Sequence, residues 1–151
     1  MAYQVEPLDQ TTGIFLYTET VEPPCIDKEK IIFCLKKIVT DHGKILGCIN
    51  TIFCSDDYLL NLNKEYLNHD YYTDILTFPM QAEPLAGDLF ISVDRIREYT
   101  QKNNISFQKE IYRVVIHGVL HLVGYGDKTE EEKKEMRSKE DYFLKVLDEM
   151  S

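Results

Sequence analysis

His117, His121 and Asp127 stand at a spacing that suits metal chemistry, in the run His117-Gly-Val-Leu-His121-Leu-Val-Gly124-Tyr-Gly-Asp127. Four residues of α-helix turn the chain by roughly 400° and raise it by about 6 Å, so His117 and His121 share one helix face. Two imidazoles placed this way can bind one ion. Gly124 can take the left-handed conformation that ends a helix, and the chain can then double back to bring Asp127 to the same ion. Three protein ligands with an open fourth position form a catalytic zinc site rather than a structural one, with an ion-bound water as the nucleophile. The expectation is therefore one Zn2+ per chain. No catalytic side chain is assigned.

The plainer reading is that the histidines are packed core residues. Against it stands the helix that carries them, which is apolar nearly all round through Ile111, Val114, Val115, Ile116, Val119 and Leu120. Such a helix is buried. Imidazoles buried in it are costly without partners, and a shared ion supplies one. The spacing H-x-x-x-H-x-x-G-x-x-ligand also matches the metzincin peptidases. Helical zinc peptidases, however, read H-E-x-x-H, with the Glu as general base, and that position here is Gly118.

The elements that must position these residues follow from periodicity and caps. Ile14–Thr18 reads as a strand. After Pro23-Pro24, Asp27 caps a helix whose Ile31, Leu35 and Ile38 form an apolar stripe. Ile45–Cys54 is strand-like, and Ser55 caps a helix carrying Leu59, Leu62 and Tyr66. Asp74–Phe78 and Leu89–Ser92 read as short strands joined by a loop over Met80–Ala86. A helix runs from about Asp94 to Lys102 and turns at Asn103-Asn104, and Ser106 opens the histidine helix. Thr129 and Glu132 form a capping box for a last helix with its seam at Met136, Glu140, Phe143, Leu147 and Met150. Five helices among about four strands predict an α+β fold, one domain over residues 1–151 with a mixed sheet.

The composition sets wider bounds. At 151 residues and 44% hydrophobic content, the chain can build one sizeable core. Glu6, Asp9 and Glu19 leave no basic-then-apolar leader, and no apolar run reaches the length of a membrane span. Cys25, Cys34, Cys48 and Cys54 show no C-x-x-C spacing and read as buried thiols of a cytoplasmic protein. A net charge of −9 argues against a plain RNA-binding module, which would be basic. It allows a nuclease whose basic residues are local. Lys102, Lys109 and Arg113 precede the two histidines. Lys128, Lys133, Lys134, Arg137 and Lys139 follow them, interleaved with Glu130–Glu132, Glu135 and Glu140, and most of these read as a solvated face.

Three blocks together resemble the YbeY family, bacterial endoribonucleases of ribosomal RNA maturation. HGVLHLVGYGD resembles the family's H-G-x-L-H-L-x-G-Y-D-H. The run from Leu62 to Pro79 is similar to L-N-x-x-Y-R-x-x-D-x-x-T-D-V-L-S-F-P, and Gly87–Ser92 to G-D-I-x-I-S. The resemblance covers about residues 45–150. It implies the same α+β architecture and a single-strand-specific, metal-dependent endoribonuclease acting in small-subunit ribosomal RNA maturation and ribosome quality control. Its partners would be ribosomal RNA and the small subunit, with no membrane, DNA or nucleotide cofactor. Two positions depart from the pattern. Asp127 stands for the family's third His, preceded by Gly126 in place of Asp, and Leu67 stands for an Arg associated with substrate handling. Asp127 would leave a zinc centre formally less positive than three histidines do. The competing readings are a metzincin-like amide hydrolase and a ribosome-assembly factor with a structural metal.

Smaller candidates complete the list. His69 and Asp70 are either substrate contacts or a polar turn, with His69 the first substitute should Asp127 not be a ligand. Asp74 and Asp88 either orient a ligand imidazole or support the backbone at strand ends. His42 reads as a helix C-terminal residue before a Gly stop, not as a ligand.

Overall fold

The computed structural model describes residues 12–150, so Glu6 and Asp9 lie outside the described part. The chain runs β1 (Gly13–Glu19), α1 (Lys28–Asp41), β2 (Leu46–Cys54), α2 (Asp56–Leu67), β3 (Ile75–Ala82), β4 (Leu85–Ser92), α3 (Val93–Asn103), α4 (Phe107–Leu122) and α5 (Glu130–Asp148). The sheet order is β1-β2-β4-β3. β1 and β4 each pair parallel to β2, and β3 closes one edge antiparallel to β4. This is the mixed four-stranded sheet with five helices that the sequence predicts, in one domain.

Side-chain alternation along the central strands divides the core in two. Ile49, Phe53, Leu89 and Ile91 belong to a large cluster with α1, α4 and α5. Ile52, Cys54 and Phe90 join Leu59 and Leu62 of α2 and Leu76 of β3 in a smaller one. Successive strand residues point to opposite faces, so both faces of the sheet are covered. α4 sits in the large cluster with Ile111, Val115, Ile116, Val119 and Leu120 almost wholly enclosed. Truncating one of these to Ala would cost about 2–5 kcal/mol.

The caps fall where the side chains predict them. Asp27, Ser55 and Ser106 accept from the backbone amides of Lys30, Tyr58 and Lys109, at 3.1, 3.2 and 3.2 Å. Thr129 and Glu132 exchange both bonds of the capping box at 3.0 Å.

Two expectations, the loop over Met80–Ala86 and the burial of all four cysteines, need correction. The seven-residue loop over Met80–Ala86 is instead a tight hairpin, with strand pairing continuing to Ala82 opposite Leu85. Met80–Ala82 form the exposed end of an edge strand, where no buried face imposes an apolar alternation, and Glu83-Pro84, which read as loop punctuation, make the tight turn. α3 keeps its expected bounds to within one residue, and Ser92, the last residue of β4, also caps it by accepting from the Arg95 amide at 3.0 Å. Of the cysteines, only Cys34 and Cys54 are buried; Cys25 is exposed and Cys48 half-buried. Burial pushes both buried thiols up to about 12, where they are inert.

Candidate metal centre

α4 ends in a complete Schellman turn. The amide of Gly124 bonds back to the carbonyl of His121 and that of Tyr125 to the carbonyl of Leu120, both at 3.0 Å. Gly124 has φ of +119°, a conformation that side chains rarely adopt. The turn reverses the chain, and the carboxylate of Glu132, which accepts from the amides of Lys128 and Thr129 at 3.0 Å, ties down the far side. Asp127 lies between these two anchors. It is thereby returned to the face of α4 that bears the histidines.

Three ligand atoms meet there. His117 Nε2 lies 3.0 Å from His121 Nε2, and Asp127 Oδ2 lies 3.4 Å from the first and 3.2 Å from the second. Donors held at about 2.0–2.2 Å around a tetrahedral zinc are separated by roughly 3.3 Å, so the spacing fits one ion. Among the described residues this is the group of His and carboxylate ligands whose atoms are close enough to share one.

The proton positions make the same case. His117 Nδ1 donates to Glu140 Oε2 at 2.6 Å, and His121 Nδ1 donates to the Tyr125 carbonyl at 2.8 Å. Both Nδ1 atoms carry hydrogen, because a carboxylate and a carbonyl can only accept. Each neutral ring therefore presents a bare Nε2 lone pair to the other and to the Asp127 carboxylate. Three acceptors facing one point could share a metal ion or, in its absence, a proton on one Nε2, and the two Nδ1 bonds hold the rings in the orientation that suits metal-bound histidines.

Glu140 is 6% exposed and is the hub of this wall. Its other oxygen accepts from Arg113 Nη1 at 2.9 Å, and Arg113 Nη2 reaches Asp141 at 2.9 Å. Burial pushes the Glu140 carboxyl up, but the His117 and Arg113 bonds outweigh it and hold the group below its ordinary value. For His117, burial works against the charged ring, and the Glu140 bond with the nearby Asp127 and Asp74 charges overrides it, so its pKa is raised. The Asp74 and Glu110 carboxyls are both pushed up, chiefly by burial. Beside His117 opens a cavity of about 320 Å³, lined by Asp74, Glu110, Arg113, Asp127, Arg137 and Glu140 among others.

A family model described as endoribonuclease YbeY matches residues 22–148. The chain belongs to this family. It is 39% identical over 138 residues to the endoribonuclease YbeY of Parabacteroides distasonis, covering 91% of this chain and 97% of that one. With the endoribonuclease YbeY of Bacteroides thetaiotaomicron it shares 45% identity over 128 residues, covering 84% and 93%. A solution structure of a Thermotoga maritima protein is similar with a TM-score of 0.61 and 29% identity, covering 89% of this chain and 88% of that one.

Against the family pattern, each departing residue has a place. Asp127 Oδ2 lies within 3.4 Å of the Nε2 atoms of both histidines. The room left by Gly126 is filled by the Glu132 side chain, since a Cβ there would lie 2.7 Å from Glu132 Oε2. Leu67 is exposed at the end of α2. At Gly118 a Cβ would meet Ile75 at 2.8 Å and Leu89 at 2.9 Å. This position faces the sheet, so a peptidase-type Glu would point into the core.

Other candidates lie apart from this group. His69 is exposed, stacks on Tyr71 and is bonded to its hydroxyl at 3.0 Å. Asp88 accepts from Asn50 at 3.1 Å. Asp74 lines the cavity, but the ring orienters are Glu140 and the Tyr125 carbonyl. In sequence Glu140 belongs both to the seam of α5 and to a run of solvated charges; its i, i+4 relation to Met136, inside an apolar row, is the signal that sets it apart. His42 caps α1 and also reaches the site indirectly. Its Nδ1 donates to Ile38 O at 2.6 Å, and its Nε2 lies 2.8 Å from the Tyr125 hydroxyl.

Proposed function

We propose that this protein is a zinc-dependent endoribonuclease of the cytoplasm, cutting single-stranded segments of small-subunit ribosomal RNA in maturation and ribosome quality control. Residues 1–151 act as one catalytic domain, and His117, His121 and Asp127 hold one zinc ion. The observation that carries this reading is the convergence of three lone-pair atoms, both Nδ1 protons already committed, in a chain of the endoribonuclease YbeY family. No helix of the described residues is long and apolar enough to cross a membrane.

When bound, the ion supplies Lewis acidity, activating water and offsetting charge on the phosphate. The chain's own residues do the rest. Glu140 and the Tyr125 carbonyl aim the two imidazoles. Arg113 is committed to Glu140 and Asp141, whereas Arg137, on the same cavity wall, is 64% exposed and among the described residues makes only a long 3.7 Å contact, to Glu140. Arg137 therefore has N–H groups to offer a phosphate. The aligned base position is Gly118, pressed on the sheet, which argues against peptide hydrolysis. A cavity beside the ligands argues against a purely structural ion, whose site would be closed.

Purified protein is expected to carry one zinc per chain by elemental analysis and to cut loop-containing RNA but not casein. Chelation and His117→Ala should each abolish cutting, and His121→Ala should lose stoichiometric zinc. Metal-dependent casein hydrolysis without RNA cleavage, or full zinc retention by His121→Ala, would overturn the reading.

A further inference from the structure

Asp74 and Glu110 line the cavity at His117, and they also line a second, smaller cavity of about 230 Å³. Its remaining lining is Arg95, Ile96 and Tyr99. These three lie within one turn of α3, which presents them together. Ile96 is 1% exposed, and Tyr99 is 49% exposed. Arg95 is fixed in advance: its Nη2 and Nε donate to Asp56 at 2.6 and 3.3 Å, and its guanidinium lies 4.8 Å from the centre of the Tyr72 ring. The cavity thus combines an enclosed apolar side chain, an accessible aromatic ring and an immobilised guanidinium, all before any ligand arrives.

We propose that this second cavity seats one unpaired nucleobase, stacked on Tyr99, from a nucleotide flanking the cleaved phosphate. The inference rests on RNA being the substrate of the adjoining metal centre. Three observations favour a base as occupant. Aromatic and guanidinium planes are the surfaces on which single-stranded bases stack. The volume falls below the roughly 300–1,000 Å³ of sites for drug-sized ligands, which suits a single ring system. The wall shared with the metal cavity places the two subsites side by side, so a strand with its phosphate at His117 has a neighbouring base within reach of Tyr99. A base held in a duplex would first have to leave its stack, so this pocket would select unpaired RNA.

The test is an abasic scan of binding, read by fluorescence anisotropy on zinc-loaded protein. The probe is a 2′-O-methyl single strand, checked for integrity after each titration, with copies carrying one abasic step at each position. The parent protein should lose on the order of tenfold in affinity at one position near the scissile phosphate. Tyr99→Ala should bind the intact strand about that much more weakly and lose the abasic penalty, while Tyr99→Phe keeps both. Zinc content should remain one per chain throughout. A flat scan in the parent, or an unchanged penalty in Tyr99→Ala, overturns the proposal. Metal-dependent RNA cleavage with a flat scan would sink the base pocket and leave the function standing. A position-specific penalty abolished by Tyr99→Ala, in protein that cuts no RNA, would do the reverse.

Discussion

His117 and His121 are the same residue type on the same face of α4, yet the two flanks of the site hold them by different means. His117 is aimed by a side chain, Glu140, which arrives from 23 residues away on α5 and is itself held by Arg113. His121 is aimed by main chain, the Tyr125 carbonyl, which the Schellman turn places four residues on. The first support is strong and charged, but one substitution can delete it. The second survives any side-chain change that leaves the turn intact. The two flanks should therefore respond very differently to mutation.

The largest effect is expected on the side-chain flank. Glu140→Ala removes the acceptor of His117 and one of the two close carboxylates of the partly buried Arg113. Breaking a buried pair from one side costs about 3–5 kcal/mol, with Asp141 keeping the loss near the lower end. Removing a residue that orients a ligand weakens metal binding by roughly 10–100-fold. Urea unfolding of chelator-treated protein reads the first figure and competition with a zinc chelator the second. Equal zinc affinity in Glu140→Ala and the parent would mean that His117 needs no such support.

The main-chain flank should yield only to a change that moves the turn. Gly124→Ala has open space for its methyl group, with nothing within 4 Å of the added Cβ, so φ of +119° is the sole source of cost. Holding a side chain in so sparsely populated a conformation costs about 1–3 kcal/mol. Relief by rotation of the turn would shift the Tyr125 carbonyl and Asp127 together, so zinc affinity should fall alongside stability. A destabilised Gly124→Ala with parental zinc affinity would show that the turn stiffens the chain without aiming the ligands.

The same contrast governs what could be read from sequence. His117, His121, Gly124 and Asp127 lie within eleven residues, and helix geometry with a glycine stop relates them without knowledge of the rest of the fold. The four predicted caps were equally local. Glu140 depends on how α5 packs against α4, which no short window contains. Its dual appearance, inside an apolar seam and inside a charged run, was ambiguous because both patterns are real. The hairpin over Gln81–Leu85 is hidden for a different reason: Pro79 and Glu83-Pro84 read as loop punctuation, and the exposed end of an edge strand shows no alternation between a buried and a solvated face. Arg113 and Arg137 look alike in sequence, and only their partners separate a committed cation from an available one.

A pH dependence distinguishes the flanks in metal-free protein. Glu140 is depressed below its ordinary value of 4.5. Its contribution is present above that value and is lost as pH falls through the folded pKa. His117 is raised above 6.5. The gain from its charged pair with Glu140 is present below that value and is lost as pH rises through the folded pKa. The pair should therefore add most stability between about pH 4.5 and 6.5. Glu140→Gln should flatten both limbs of a melting-temperature profile taken in chelator. An unaltered profile would show that the His117–Glu140 contact carries no charge in solution.

The smallest effect is expected from Tyr125→Phe, the change that tests the main-chain flank most directly. It deletes the hydroxyl bonded to His42 Nε2 at 2.8 Å and leaves the Tyr125 carbonyl that accepts from His121. His42 Nδ1 is committed to the Ile38 carbonyl, so its Nε2 can only accept from the tyrosine while the ring is neutral. Losing one half-buried bond of this kind costs about 0.5–1.5 kcal/mol. The phenyl ring would keep its edge contact with His42, whose ring centre lies 5.3 Å away. Zinc affinity and RNA cleavage should stay within about twofold of the parent, because ligand aiming runs through backbone that the substitution does not touch. A tenfold loss of zinc affinity in Tyr125→Phe, at full folding, would mean that the hydroxyl bridge to α1 sets the position of that carbonyl. The apparent independence of the main-chain flank would then fail, and both histidines would depend on long-range side-chain contacts.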